Sequence, residues 1–203
     1  MFDNLPRDRF GEELVRIYQG ADGVHLRERP ASANLRSFTI DFYDPKGTSF
    51  YPRPVADIPI VDKVGQLKAV IDQIKLSTTA SKVIVVSHSM GGLVTRAYAQ
   101  GYGLDSSAKR VVYADDVARV ITIDTPHRGS GLSAYPGDLT PFDTCKTDAT
   151  VNKSEMLAES PLLNTLNTDT NVLPWPGSTK LDAIASYYST LGFPDSDGVV
   201  TRE

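Results

Sequence analysis

The sequence has little of what marks several common classes of protein. It contains one cysteine, Cys145, so no disulfide can form within the chain, and cysteine usage leaves the redox compartment open. Acidic residues outnumber basic ones by 25 to 21, and the net charge of −4 gives no basic surface suited to nucleic acid. No apolar run approaches the roughly 20 residues that a transmembrane helix needs. The first residues, MFDNLPRDRF, have neither the basic nor the apolar region of a secretory signal.

What remains is the composition of an ordinary globular chain. Of the 203 residues, 40% are hydrophobic and 23% are charged, which is typical of a folded domain. This length suits one domain, or one large domain that has been cut short.

Hydrophobic periodicity predicts the elements of the first third of the chain. Phe10, Leu14, Ile17 and Tyr18 have helical spacing, which predicts a helix that ends near Gly20. The polar stretch HLRERPASANL, which contains His25, is typical of a loop. The alternating segment RSFTIDFY predicts a strand that ends near Tyr43.

The middle of the chain has a stronger pattern. Apolar residues repeat every three to four positions from about Asp57 to Leu76, which predicts an amphipathic helix. The run KVIVV predicts a strand buried on both faces, and GGLVTRAYAQGYG predicts a helix ended by glycines. Further strands are predicted at VARVITI and within LDAIASYYST.

This alternation of strands and helices predicts an α/β fold with a mainly parallel sheet and helices on both faces. The segment at about 131–180 interrupts the alternation with five prolines and short helical pieces around KSEMLAES and PLLNTLN. Because it is too long for a plain loop, we interpret it as a lid inserted into one domain that covers residues 1–203. Its apolar residues either present a surface to an acyl chain or pack the insertion onto the domain; they are Leu157, Leu162, Leu163, Leu166 and Trp175.

The segment KVIVVSHSMGGLV places Ser89 between a predicted strand and a predicted helix. A serine in a sharp turn at the carboxyl end of a strand is accessible to substrate, and the N–H of Met90 lies at a helix N-terminus that can hold an oxyanion. Such a turn needs small residues two positions before and after the serine, and Ser87 and Gly91 meet that need. The alternative is that Ser89 only caps the helix.

Three motifs together resemble the lipase and esterase branch of the α/β-hydrolase superfamily. SHSMGG is similar to the G-H-S-M-G-G of that family, although Ser87 replaces its first glycine. DTPHRGS is similar to G-T-P-H-x-G-S, and SDGVV to the segment that bears the acid of the catalytic triad. The resemblance covers residues 36–200 and implies hydrolysis of carboxylic esters at a nucleophile elbow, with Ser89 as nucleophile and no cofactor or metal. It also implies a secreted bacterial protein that acts in lipid metabolism.

The resemblance gives the role of triad acid to Asp197, which would orient a histidine and stabilise its cation. The DSDG segment that contains Asp197 is also typical of a turn, so Asp197 is alternatively a turn residue. Asp195 is the neighbouring candidate for the acid, and a calcium ligand in this acidic cluster is a third possibility.

The catalytic base is the part of the triad that the matching motifs do not supply. The family's order of serine, acid and histidine requires a histidine after Asp197, whereas the three histidines are His25, His88 and His127. The side chain of His88 should point away from Ser89, and His25 belongs to the predicted loop. His127 is the remaining candidate base, although the family motif gives it a structural or pocket role.

Two interpretations follow. In the first, the chain is an incomplete hydrolase domain whose triad histidine lies outside it, and whose early helix leaves no room for the family's first strand. Exposed sheet edges would then promote self-association. In the second, it is a catalytically inactive remnant that binds lipid or a partner in the same cleft. Thioester or amide hydrolysis by the same residues stays open.

Overall fold

The computed structural model describes residues 15–20, 23–26, 38–40, 58–105, 107–130, 151–168 and 174–185. Along the chain, the first three strands are β1 (Val15–Gly20), β2 (Gly23–Leu26) and β3 (Phe38–Ile40). They form one sheet in the order β2-β1-β3, in which β1 pairs antiparallel with β2 and parallel with β3.

The second sheet contains the functional elements. Helix α1 (Ile60–Thr78) leads into strand β4 (Val83–His88), helix α2 (Met90–Ala99) and strand β5 (Val117–Ile123). Two short helices, α3 (Val151–Glu155) and α4 (Pro161–Thr168), precede strand β6 (Lys180–Ile184). Strands β4, β5 and β6 pair in that order and are all parallel, which confirms the α/β fold with a mainly parallel sheet.

The start of the chain differs from the prediction. The helix expected to end near Gly20 is wrong at Val15–Gly20, which is strand β1, while the earlier part of that prediction lies outside the described residues. His25 lies in strand β2 rather than in a loop. Because Val15–Gly20 is a strand, the expectation that an early helix leaves no room for a first strand is not supported. VRIYQG is rich in β-branched and aromatic residues, and in so short a segment pairing with another strand outweighs helical spacing.

The hydrophobic core lies on one face of the β4-β5-β6 sheet. Helix α1 packs on α2, and α2 packs on β4 and β5, as the amphipathic spacing of α1 predicts. Helix α4 completes the core with Leu162, Leu163 and Leu166, whose side chains are at most 5% exposed. For these three leucines, burial supports the packing interpretation over the presentation of an apolar surface.

The opposite face of the sheet is exposed. Ile84 is 64% and Val86 is 48% exposed, so the expectation that KVIVV is buried on both faces is wrong. The inward-facing residues Val83, Val85 and Ser87 alternate with these two, and only the inward face meets α1 and α2. Self-association through this sheet stays a prediction.

A buried polar cluster attaches α3 to the start of α1. Both carboxylate oxygens of Glu155 accept from the backbone N–H of Ile60, at 3.2 and 3.0 Å. The fully buried ammonium of Lys63 donates to the carbonyl of Ile58 at 3.0 Å and to the side chain of Asn152. Part of the predicted lid is therefore fixed to the domain by specific hydrogen bonds. The lid function itself stays a prediction, because 131–150 and 169–173 lie outside the described residues.

Among the described residues, no helix is both long enough and apolar enough to cross a bilayer.

Candidate active site

Ser89 is the single residue between strand β4 and helix α2. Its backbone has φ 51° and ψ −128°, a region that residues other than glycine seldom occupy. The Ser89 N–H donates to the carbonyl of Ile123 at 2.9 Å, and its carbonyl accepts from the N–H of Gly92 at 3.0 Å. These bonds tie the turn to β5 and to the first turn of α2. The chain therefore reverses within one strained residue, which is the geometry expected of a nucleophile elbow.

The side chain of Ser89 does not cap the helix. Although Ser89 occupies the N-cap position, its hydroxyl makes no capping hydrogen bond, and within the described part of the chain it has no other hydrogen-bond partner. The residue is half-buried rather than enclosed. The alternative role as a helix cap is therefore not supported, and the hydroxyl is left available for an incoming group.

The small residues around the turn have unequal roles. Ser87, which replaces the family's glycine, is buried, and its Oγ accepts from Thr95 Oγ1 at 3.3 Å. A Cβ added to Gly91 would meet only the Ser87 Cβ, at an ordinary 3.7 Å. A Cβ added to Gly92 would lie 2.8 Å from the Thr125 Cβ, which is closer than real contacts allow. The close approach of α2 to the loop after β5 therefore depends on Gly92 more than on Gly91.

Met90 begins helix α2, directly after Ser89. Its side chain is 6% exposed, and its Sδ lies 3.8 Å from the Nζ of Lys63. Packing thus fixes the residue whose N–H lies at the positive end of α2. The helix dipole favours negative charge at this position.

His127 lies in the loop after β5, and its ring turns back along that strand. Its Nε2 lies 3.1 Å from Thr122 Oγ1, and its carbonyl accepts from Arg96 Nη1 at 3.3 Å and from Asn167 Nδ2 at 3.2 Å. Burial, and then the nearby positive charge of Arg96, lower the pKa of His127 to about 4. The imidazole is therefore neutral at pH 7, and its partner in the structure is Thr122 rather than Ser89.

The structure bears unequally on the other predicted site residues. Asp197 and Asp195 lie outside the described residues. His88 ends β4 and pairs with Ile123, and His25 belongs to the other sheet. Arg96 was missed by the sequence analysis, because a lone arginine on an apolar helix gives no signal of the contacts that its side chain makes.

Three comparisons with known proteins relate this arrangement to lipases. The family model described as "PGAP1-like alpha/beta domain" matches residues 9–180. The chain is 37% identical over 93 residues to a triacylglycerol lipase of Pseudarthrobacter phenanthrenivorans, and equally identical over 93 residues to a triacylglycerol lipase of Burkholderia plantarii. Each match covers 46% of this chain but only 24% and 22% of the relative, so the chain spans about a quarter of the length of these lipases.

Solved structures share the fold. The mature form of the Bacillus licheniformis lipase BlEst2 matches with a TM-score of 0.52 and 22% identity, over 71% of this chain and 60% of that one. The phospholipase PlaB from Legionella pneumophila matches with a TM-score of 0.53 and 17% identity, over 71% of this chain and 33% of that one. The resemblance drawn from the motifs is thus confirmed. The chain belongs to the PGAP1-like alpha/beta domain family and is a relative of the α/β-hydrolase lipases and esterases.

Proposed function

We propose that this chain carries the nucleophile of a serine hydrolase that acts on carboxylic esters of lipids or small molecules. The observation that carries the proposal is the strained backbone of Ser89 between β4 and α2, together with a hydroxyl that makes no capping hydrogen bond. Strain of about 1–3 kcal/mol at a single residue persists only where the surrounding structure imposes it, and such residues cluster at functional sites.

The reaction would proceed through an acyl-enzyme. A base removes the proton of the Ser89 hydroxyl while Oγ attacks the ester carbonyl carbon, and the carbonyl oxygen becomes an oxyanion. The Met90 N–H at the start of α2 donates a hydrogen bond to this oxyanion. Collapse of the intermediate expels the alcohol, which takes the proton from the base. Water then hydrolyses the acyl-Ser89 ester by the same steps, and no cofactor is required.

The base in this proposal is a histidine from outside these 203 residues, oriented by Asp197. His127 is the alternative within the chain. Two observations favour the external histidine: the His127 Nε2 contacts Thr122 Oγ1, and a pKa of about 4 makes this imidazole a weak base. Efficient general bases have pKa values near the working pH.

Hydrolysis of p-nitrophenyl butyrate tests the nucleophile, with Ser89→Ala as the matched control and imidazole added in place of the external base. We expect no Ser89-dependent turnover without imidazole. With imidazole, the parent chain should exceed S89A, and mass spectrometry should find one butyryl group on the peptide that contains Ser89. Equal rates and no adduct would refute the nucleophile and favour the inactive remnant. If turnover occurs without imidazole and is lost in the His127→Gln variant, His127 is the catalytic base.

A separate experiment tests the backbone strain at Ser89 and does not depend on catalytic activity. Glycine adopts φ 51° readily and alanine does not, so Ser89→Gly should be more stable to urea than Ser89→Ala by about 1 kcal/mol or more. This order is the reverse of the one expected in an unstrained segment, where glycine costs more conformational entropy. Equal stability of the two variants would contradict a strained elbow.

A further inference from the structure

Two buried hydroxyl groups lie on either side of the turn at Ser89. Ser87 belongs to strand β4, two residues before Ser89, and Thr95 belongs to the second turn of helix α2, six residues after it. Their side-chain oxygens are 3.3 Å apart, and the two residues are only 8% and 2% exposed. This contact, which we name the hydroxyl bridge, joins the strand that enters the turn to the helix that leaves it.

Thr95 is an unfavourable residue for its position in the helix. Threonine is β-branched and forms helices less readily than alanine, and its neighbours Leu93 and Val94 are fully buried and apolar. A buried hydroxyl is costly unless it is hydrogen-bonded. That of Thr95 lies within reach of two acceptors, the Gly91 carbonyl at 3.0 Å and Ser87 Oγ. The first contact is common for a helical threonine, whereas the second spans the turn at Ser89.

Ser87 is a departure from the motif that this turn otherwise resembles. The G-H-S-M-G-G pattern has a glycine at this position, and glycine has no side-chain oxygen with which to form the bridge. Serine fits here because a Cβ placed even at Gly91 would lie at an ordinary 3.7 Å from the Ser87 Cβ. The hydroxyl bridge is therefore a feature of this sequence and not of the motif.

The bridge restrains the turn from outside. Ser89 has φ 51° and ψ −128°, a conformation that persists only where the surrounding structure imposes it. The backbone bonds of Ser89 to Ile123 and Gly92 restrain the turn itself. The bridge holds the two flanking elements together, so that they cannot separate to relax the backbone of Ser89 unless the contact between Ser87 and Thr95 breaks.

We propose that Ser87 and Thr95 are positioning residues, which hold Ser89 in its strained conformation and so fix the direction of its hydroxyl. They act through Ser89 and not by contact with a substrate. Their effect on the reaction rests on the function proposed above, whereas their effect on the backbone of Ser89 does not.

A stability comparison tests the effect on the backbone. Valine has the branched shape of threonine without its hydroxyl, so Thr95→Val removes the bridge. The measurement is the difference in urea midpoint between Ser89→Gly and Ser89→Ala, first in the parent chain and then combined with T95V. The difference should shrink by roughly a third or more, because the bridge is one of three restraints on the turn.

Thr78→Val is the matched control for this comparison. Thr78 Oγ1 also donates to the carbonyl four residues earlier, that of Ile74 at 2.7 Å, but in helix α1. Combined with T78V, the difference between the two Ser89 variants should equal that in the parent chain. Ser87→Ala breaks the bridge from its other end and should reproduce the result of T95V. An unchanged difference in both T95V and S87A would overturn the proposal.

The effect on the reaction is measured as acylation of Ser89 by p-nitrophenyl butyrate in the presence of imidazole. T95V should lower the saturating rate about tenfold with little change in KM, because a misdirected nucleophile slows the chemical step and not binding. Thr95→Ser keeps the hydroxyl and should restore the rate, and T78V should react as the parent chain does. Equal rates in T95V and the parent would overturn the positioning role. If the parent chain is not acylated at all, the hydrolase proposal fails, and the stability comparison by itself decides whether the bridge holds Ser89.

Discussion

Acidification should destabilise this protein through His127. Because the folded protein holds the pKa of His127 at about 4, against an ordinary value of 6.5, the unfolded chain binds a proton more readily between these values. The stability associated with the neutral ring is therefore complete above pH 6.5 and is lost as the pH falls towards 4. The physical causes are burial of the ring and, second, the charge of Arg96 beside it.

The size of the effect follows from the difference between the two pKa values. It corresponds to roughly 3 kcal/mol at most, a large fraction of the 5–15 kcal/mol that is typical of a domain. Since other groups also titrate in this range, the parent chain must be compared with a variant that lacks only this group. His127→Gln keeps a hydrogen-bonding group near Thr122 Oγ1 and cannot gain the charge.

Urea unfolding of both proteins at several pH values between 7 and 4 measures the effect. The stability of the parent chain should fall more steeply than that of H127Q, by up to about 3 kcal/mol over the range. A change in the absolute stability of H127Q does not affect the test, because the two proteins are compared only by how steeply their unfolding free energies fall with pH. Parallel curves would refute the reasoning and would mean that His127 is accessible enough to titrate normally in the folded protein.

Two pairs of variants test the packing around the site. Gly92→Ala should destabilise by about 1–3 kcal/mol through overlap with the loop after β5, whereas Gly91→Ala should be nearly neutral, and urea midpoints in the reverse order would contradict the packing described here. Tyr98→Phe removes the donor that lies 2.7 Å from the buried Asp116 carboxylate and should cost about 1–3 kcal/mol in urea unfolding. Tyr102→Phe is its control, because no hydrogen bond of the Tyr102 hydroxyl occurs among the described residues, and equal losses in the two variants would refute the role of the Asp116 contact.

Much of the second sheet could be predicted from the sequence. Helix α1, strands β4 and β5, and helix α2 all occur where periodicity and glycines place them. These segments are long or strongly apolar, so the local pattern and the tertiary environment favour the same structure. The short segment at Val15–Gly20 was misassigned, because its structure depends on pairing with β2 and β3, which no local pattern reveals.

The turn at Ser89 was predicted from residue types alone, since a small residue, a serine and two glycines between a strand and a helix leave few other conformations. The motif requires a small residue at Gly91, whereas in the structure the glycine that is sterically required is Gly92. Both glycines are adjacent along the chain, and only the approach of Thr125 from beyond β5 distinguishes Gly92 from Gly91.

The sequence by itself determined the fold family and the strand-to-helix turn, because both follow from hydrophobic spacing and a short motif. Tertiary structure alone decided the protonation state of His127 and the contacts that surround its ring. Arg96, His127 and Trp175 are far apart in the sequence, and they meet because α2, the loop after β5 and the segment before β6 pack on one face of the sheet. The pKa of a histidine depends on its neighbours and its burial, which exist only once those elements have packed.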